Sequence, residues 1–146
     1  MAAHLLRRDE GELLPVGPSQ VLIKATGEET DGKLFMSETT LAPDTAGPPE
    51  HFHETLHDMF YVLEGTLSIS VDGEMQQLAA GSFICVPPRT AHAISNSGSV
   101  PARFLNIATP SGWENFMRDL SVASADGRPA PEEVSAIAQR YDWFPA

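Results

Sequence analysis

A regular series of short segments, each ended by turn residues, restricts the fold of this sequence more than any other feature. Within the segments, β-branched and aromatic side chains are frequent and apolar positions alternate with polar ones, which is typical of half-buried strands. The predicted strands are Val21 to Thr26, Leu34 to Leu41, Met59 to Leu63, Thr66 to Val71, Glu74 to Ala79, Ser82 to Val86, His92 to Asn96 and Ala102 to Thr109. Asp72-Gly73 predicts a two-residue hairpin turn, because both residues tolerate positive φ. The spacing therefore predicts an all-β sandwich or barrel.

The sequence after Thr109 has helical rather than strand periodicity. Ser111 and Glu114 have the spacing of a capping box, in which Ser111 caps a short helix that runs to about Leu120. A second helix is predicted to begin near Pro131, with one apolar stripe that packs on the strands. The stripe consists of Val134, Ile137, Ala138 and Tyr141. We expect these helices to brace the β structure.

Length and charge restrict the classes of function. A chain of 146 residues can bury about 68 to 70% of its unfolded surface, so we predict a single domain over residues 1–146, with a barrel over about 20–110 and a helical segment over about 111–146. The net charge of −11 opposes binding to nucleic acid and to anionic membranes. The sequence has no apolar run of signal-peptide or membrane-span length, and its one cysteine, Cys85, cannot form an intrachain disulfide. These features predict a cytoplasmic protein.

Histidines lie at the ends of two predicted strands that are far apart in the sequence. His51, His53 and His57 precede the strand that ends before Gly65, and His92 follows the apolar segment that ends at Pro87-Pro88. Alternate residues of an extended segment point to the same face, so His51 and His53 can converge on one ion. Imidazole is the commonest metal-ligating side chain, and the sequence therefore predicts a metal site.

The two histidine segments contain two spaced motifs. The motif residues are Gly47, His51, His53, His57-Asp58 and Gly65 in the first segment, and Gly81, Pro87, Arg89, His92 and Asn96 in the second. Together they resemble the motifs of the cupin superfamily over roughly residues 33–109. Each motif alone is only suggestive, but the pair is highly specific. The resemblance implies an antiparallel β-barrel or jelly-roll sandwich with short C-terminal helices. It also implies a mononuclear metal site with His51, His53 and His92 as ligands.

The sequence departs from the cupin pattern at two positions. Arg89 stands where the family has a glycine, and the pair His57-Asp58 stands where it has a metal-binding glutamate. Counting back from Gly65 favours Asp58 as the fourth ligand, whereas ligand type favours His57, because the other three ligands are imidazoles. We take His57 as the ligand and Asp58 as a proton-transfer residue. Four neutral imidazoles would leave a divalent ion its full charge and make it a strong Lewis acid.

The side chains that line the interior depend on which of these two residues points inward. If His57 is inward, Met59 and Tyr61 lie on the same face; if Asp58 is inward, Phe60 and Val62 do. The predicted substrate pocket consists of Met59, Tyr61, Phe104, Asn106 and Trp113. The Asn106 amide could orient a substrate oxygen or bond to a neighbouring turn. Such an apolar cavity suits an aromatic or pre-aromatic ligand.

Within the cupins, the short chain with four candidate histidine ligands resembles the metal-dependent aromatic polyketide cyclases of the resistomycin-pathway type. This resemblance implies intramolecular aldol cyclisation and aromatisation of a poly-β-ketone. The expected cofactor is one divalent ion per chain, zinc in the first place and iron or nickel as alternatives, acting as a Lewis acid. The expected partners are a hydrophobic polyketide-like substrate and a second copy of the chain in a homodimer, with no nucleic acid and no membrane. Two alternatives stay open: a quercetinase-like dioxygenase using iron, copper or nickel, and a non-catalytic cupin that binds a small molecule.

Overall fold

Strands dominate the computed structural model, which describes residues 2–146. The strands are β1 (Glu12–Val16), β2 (Ser19–Ala25), β3 (Phe35–Leu41), β4 (Thr45–Ala46), β5 (His51–Phe52), β6 (His57–Glu64), β7 (Thr66–Val71), β8 (Glu74–Ala79), β9 (Phe83–Val86), β10 (His92–Asn96), β11 (Ala102–Thr109) and β12 (Phe144–Pro145). The helices are α1 (Gly27–Thr30), α2 (Trp113–Ala123) and α3 (Pro131–Ala138). None of the helices in the described residues is long and apolar enough to cross a membrane.

In the described part of the chain, the strands form two antiparallel sheets that pack face to face. The first sheet has the order β1-β2-β3-β11-β6-β9, and the second has the order β12-β5-β10-β7-β8, with β4 paired to β10. One core cluster joins Leu41, Val62 and Phe104 of the first sheet to Leu67 and Ile69 of the second. Burial of these alternate side chains between the sheets stabilises the sandwich. The structure confirms the all-β prediction.

The helices cover the strands with a second core cluster. Phe116 of α2 and Ile137 of α3 pack with Phe35 of β3, Trp113 and Trp143. The predicted apolar stripe of α3 is confirmed, since its buried residues belong to this cluster and Val134 and Tyr141 pack against it. The second core therefore ties both helices and the C-terminal residues to the sandwich.

The predicted capping box at Ser111 is wrong. The N-cap of α2 is Gly112, which makes no side-chain cap hydrogen bond, and the helix extends to Ala123. The Glu114 carboxylate accepts the backbone N–H of Gly112 at 3.0 Å, so the glutamate caps one residue later than its spacing suggested.

Turn chemistry sets the register of the central hairpins. Asp72 and Gly73 have φ values of 49° and 84° between β7 and β8, which confirms the predicted turn. Gly65 joins β6 to β7 with a φ of 73°, and a Cβ there would lie 2.3 Å from the Pro101 carbonyl oxygen. Only glycine fits this position, which therefore anchors the end of β6.

Candidate metal centre

Three of the four predicted histidines come together between the sheets. His51 on β5 and His92 on β10 are direct cross-strand partners, and His53 follows β5 by one residue. The three side chains are buried, with 4%, 2% and 1% exposure for His51, His53 and His92. One nitrogen from each lies within 4.8 Å of the others. Antiparallel pairing of two segments that are distant in the sequence thus produces the cluster.

Backbone carbonyls orient all three rings. The Nδ1 of His51 donates to the Pro49 carbonyl at 2.7 Å, the Nδ1 of His92 donates to the Thr90 carbonyl at 3.0 Å, and the Nδ1 of His53 donates to the Asp142 carbonyl. A carbonyl can only accept, so the Nδ1 of each ring carries a proton, and Nε2 is the nitrogen left for an ion or, in His92, for Asp58 Oδ2 at 3.1 Å. This is the arrangement by which outer residues prepare histidines for a metal ion.

Asp58 supplies the fourth donor. Its buried Oδ2 lies 3.1 Å from His92 Nε2 and 3.5 Å from His53 Nε2. Two donors that bind one ion at about 2.0 to 2.2 Å are about 2.8 to 3.6 Å apart for octahedral or tetrahedral angles. His53 Nε2 is fully buried and has no hydrogen-bond partner among residues 2–146, which is costly unless it binds something. The four residues therefore fit a divalent ion, and an N₃O donor set suits zinc, iron, nickel and copper.

The prediction that His57 is the fourth ligand is wrong. His57 is exposed at the start of β6, whereas the next residue, Asp58, is buried. Neighbouring residues of a strand point to opposite faces, so only one of the two can reach the histidines. Asp58 is therefore the candidate fourth donor, and its predicted role in proton transfer stays a prediction. The count back from Gly65 was the sequence signal that identified it.

Asn106 holds the Asp58 carboxylate in place. Its Nδ2 donates to Asp58 Oδ1 at 2.7 Å and to the Met59 carbonyl at 3.1 Å. The amide therefore orients a ligand rather than the substrate oxygen considered from the sequence. With Oδ1 engaged in this way, Oδ2 is the oxygen directed toward the histidines.

The remaining predicted pocket residues are divided between three environments. Tyr61 is 40% exposed and Met59 lies on the same outer face of β6, because Asp58, Phe60 and Val62 occupy the inner face. Both predictions are therefore wrong. Phe104 is buried, but it packs in the core against Phe60 with ring centroids 5.9 Å apart. Trp113 does adjoin the centre, with its ring edge-to-face on His53 at 5.1 Å.

Trp143 is a neighbour of the centre that sequence reasoning missed. Its ring stacks on His51 with centroids 5.4 Å apart and is 1% exposed. Together with Trp113, it packs against the histidines. Two surface crevices of about 220 and 350 Å³ lie elsewhere, one along β2 and α1 and one over the outer face of the first sheet. In this conformation the donor atoms are enclosed.

Arg89 occupies the family's glycine position in a left-handed conformation. Its φ is 64°, and its backbone N–H donates to the His53 carbonyl at 2.6 Å. Positive φ explains why a glycine suits this position, since side chains disfavour it. Arg89 also places its Nε 3.2 Å from the Glu54 carboxylate. The second motif thus holds the loop that follows β5.

Two of the histidines, His51 and His53, and the Asp58 carboxyl have shifted pKa values. Burial first, and the nearby His92 second, lower the pKa of His51 to about 3. Burial also lowers the pKa of His53, but the Asp58 carboxylate outweighs it and the net shift is upward. Burial raises the pKa of Asp58, yet His53 and His92 hold it well below its usual range. Asp58 is therefore ionised at neutral pH, and its negative charge favours the protonated form of His53.

Metal binding is expected to weaken as the pH falls. Below its raised pKa, His53 carries a proton that an ion must displace, whereas His51 stays neutral down to about pH 3. The proton on His53 should lower the apparent zinc affinity by about tenfold per pH unit on the acid side of that pKa. Calorimetric zinc titrations in buffers of different ionisation enthalpy measure the proton release. Zinc affinity that is constant between about pH 5 and pH 8 would contradict this protonation scheme.

The match to a known family agrees with this geometry. Residues 37–108 match the family model of the cupin domain. The chain is a cupin-domain protein. Both histidine motifs lie inside the matched region, and the two-sheet sandwich is the cupin fold.

Curated relatives of this cupin differ in their described activities. It is 31% identical over 139 residues to quercetin 2,3-dioxygenase from Bacillus subtilis (strain 168), a match that covers 95% of this chain and 40% of the relative. It is 33% identical over 76 residues to the tetracenomycin polyketide synthase protein TcmJ from Streptomyces glaucescens, covering 52% of this chain and 50% of that protein. The cupin therefore spans half or less of the length of these relatives.

A solved structure extends the comparison. The polyketide cyclase RemF from Streptomyces resistomycificus superimposes with a TM-score of 0.64 over 75% of this chain and 81% of that one. The two sequences are 20% identical in this region, so the likeness concerns the fold.

Proposed function

We propose that this cupin is a mononuclear metal enzyme that adds dioxygen to polyhydroxylated aromatic compounds. The observation that carries the proposal is the enclosed set of His51, His53, His92 and Asp58, in a chain similar along 95% of its length to a quercetin 2,3-dioxygenase. The polyketide cyclase prediction depended on a fourth histidine, which made the ion a strong Lewis acid. A carboxylate cancels part of the ion's charge, and the specific argument for Lewis-acid chemistry loses its basis.

Each residue of the site has a role in this proposal. The three histidines would hold the ion through Nε2, and Asp58 would hold it through Oδ2. When bound, an iron, copper or nickel ion supplies the redox chemistry that dioxygen requires. Asn106 keeps Asp58 Oδ1 engaged, so that Oδ2 alone faces the ion or a phenolic hydroxyl of the substrate. Trp113 and Trp143 exclude water from the histidines, which strengthens electrostatic interactions inside the site.

Polyketide cyclisation is the second candidate. It is favoured by the 33% identity to a tetracenomycin polyketide synthase protein and by the fold likeness to a polyketide cyclase. The same residues would hold the ion, with zinc as the suitable metal, and the indole walls would bring two carbons of a poly-β-ketone together. Dioxygenation and cyclisation differ in one measurable respect, because cyclisation consumes no dioxygen.

Oxygen uptake with quercetin is the test of the proposed function. Protein loaded separately with iron, nickel or copper is expected to consume one O₂ per quercetin with at least one of these metals, because a dioxygenase places both atoms in the product and needs no external reductant. The His92→Ala variant should lose the uptake, and the His57→Ala variant should keep it. Anaerobic ring closure of a poly-β-ketone by the zinc protein, without quercetin turnover, would replace the proposal by the cyclase. Absence of both reactions would favour a non-catalytic binding protein.

A further inference from the structure

The C-terminal residues reach the metal centre from the far end of the chain. The carboxylate of Asp142 accepts the backbone N–H groups of Glu54 at 2.7 Å, Thr55 at 2.8 Å and Leu56 at 2.8 Å. The backbone carbonyl of the same residue accepts Nδ1 of His53. One aspartate thus binds a histidine ligand and the three residues that follow it.

The loop over residues 54–56 connects two donors of the centre. It begins after His53 and ends just before β6, where Asp58 lies. The path of this loop therefore sets the position of the His53 ring relative to Asp58 Oδ2, now 3.5 Å from Nε2. Hydrogen bonds from three consecutive N–H groups to one ionised carboxylate are charge-assisted and hold a loop more firmly than neutral bonds.

Other contacts of the same segment cover the centre. Trp143 stacks on His51, and Phe144 stacks on Phe52 with ring centroids 5.4 Å apart. β12 pairs with β5, and the Ala146 N–H donates to the Glu50 carbonyl at 3.1 Å. Residues 141–146, which we call the C-terminal strap, are therefore bound to the strand and loop that carry His51 and His53.

We propose that Asp142 is a positioning residue of the metal centre and that docking of the C-terminal strap and binding of the ion stabilise each other. Asp142 acts by holding His53 and the 54–56 loop in the geometry that an ion requires. The two effects are reciprocal. If docking of the strap raises the affinity for the ion by a given factor, binding of the ion raises the equilibrium constant for docking by the same factor. The inference rests on the metal centre of the proposed function and not on its reaction.

The strap also covers one side of the centre, through Trp143. All four donor residues are buried, and the two indole rings pack against the histidines. A substrate reaches the ion only after some of these contacts open, and the strap is held at its end by Asp142. The linkage then means that the ion-loaded centre opens less often than the ion-free one.

The zinc affinity of the Asp142→Asn variant tests the proposal. An asparagine keeps the backbone carbonyl for His53, but it offers one acceptor oxygen instead of two and carries no charge. We expect zinc to bind about 10- to 100-fold more weakly, the range found when outer-shell partners of metal ligands are removed. Competition with a chromogenic chelator measures the affinity. The visible spectrum of the cobalt-loaded variant should also change, because the His53 ring moves.

Asp126→Asn is the matched control. Asp126 is exposed in the turn after α2 and has no described bond to the strap or to the 54–56 loop. Its replacement should leave the zinc affinity and the cobalt spectrum unchanged. Equal zinc affinities for Asp142→Asn and the unmodified protein would overturn the proposal. If the unmodified protein binds no zinc, cobalt, nickel or iron, the metal centre itself fails.

Hydrogen exchange in the unmodified protein provides a second measurement, which stands even if Asp142→Asn does not fold. Zinc should slow the exchange of the amides at residues 54–56 and of residues 141–146 by a similar factor, since the two groups are linked. The amides of β1 and β2, at the far edge of the first sheet from β5 and β10, serve as an internal reference. Protection by zinc that includes the loop but leaves the strap unchanged would overturn the linkage.

Discussion

The His92→Ala variant is expected to bind zinc more than about 100-fold more weakly than the unmodified protein. Removal of an outer-shell partner alone costs about 10- to 100-fold in metal affinity, and His92 contributes a donor itself. Its Nε2 lies 3.1 Å from Asp58 Oδ2, so its removal also leaves that buried carboxylate with one histidine fewer. Metal content after dialysis, measured by mass spectrometry, and a zinc titration provide the readouts.

His57→Ala is the control that separates the two alignments of the first motif. His57 is exposed on the opposite face of β6 from Asp58, so its removal should change zinc affinity by less than about threefold, the scale of a surface substitution. Asp58→Ala should resemble His92→Ala. A large loss in His57→Ala combined with a small loss in Asp58→Ala would return the fourth position to the histidine.

Most of the fold could be predicted because its signals are local. The eight predicted strands correspond to observed strands with ends that differ by no more than two residues. Turn chemistry at Asp72-Gly73 and alternation of apolar residues are properties of neighbouring residues in the chain. β1 and the two-residue strands β4, β5 and β12 were not predicted. Two residues carry no periodicity, and the pairing of β4, β5 and β12 with β10 and with each other is a tertiary effect.

The candidate site could be predicted only in part, for a similar reason. Motif spacing identified His51, His53 and His92, but the choice between His57 and Asp58 depended on the parity of β6. Both alternate sets of that strand are apolar, so hydrophobic patterning did not distinguish them. In the structure, the pairing of β6 between β11 and β9 determines this parity, because it directs Phe60 and Val62 into the core.

The contribution of Asp142 had no local signal at all. Its partners lie 86 to 89 residues earlier in the chain, and an aspartate near a chain end is ordinarily solvated surface. The aromatic run around Trp143 was the one feature that could have suggested burial there. Outer-shell residues of this kind follow from tertiary packing, and a single sequence does not reveal them.

Trp143→Ala is expected to destabilise the metal-free protein by about 3 kcal/mol. Replacing a buried tryptophan by alanine typically costs 3 to 5 kcal/mol, through lost burial and the cavity left behind. The indole N–H is buried and has no partner within residues 2–146, so its removal recovers about 1 kcal/mol or more and favours the lower end of the range. Urea unfolding followed by circular dichroism measures the change.

Two further variants test whether the loss of stability comes from packing of the indole against His51. Trp143→Phe keeps an aromatic ring and removes the orphaned donor, so it should cost less than about 1.5 kcal/mol. Val122→Ala, at a position 77% exposed on α2, should change stability by no more than about 0.5 kcal/mol. A loss below about 1 kcal/mol for Trp143→Ala would mean that the strap is largely undocked when the ion is absent. The histidines would then be enclosed only in the ion-loaded protein. Binding of the ion would in that case contribute more to docking of the strap than the contacts of the metal-free protein do.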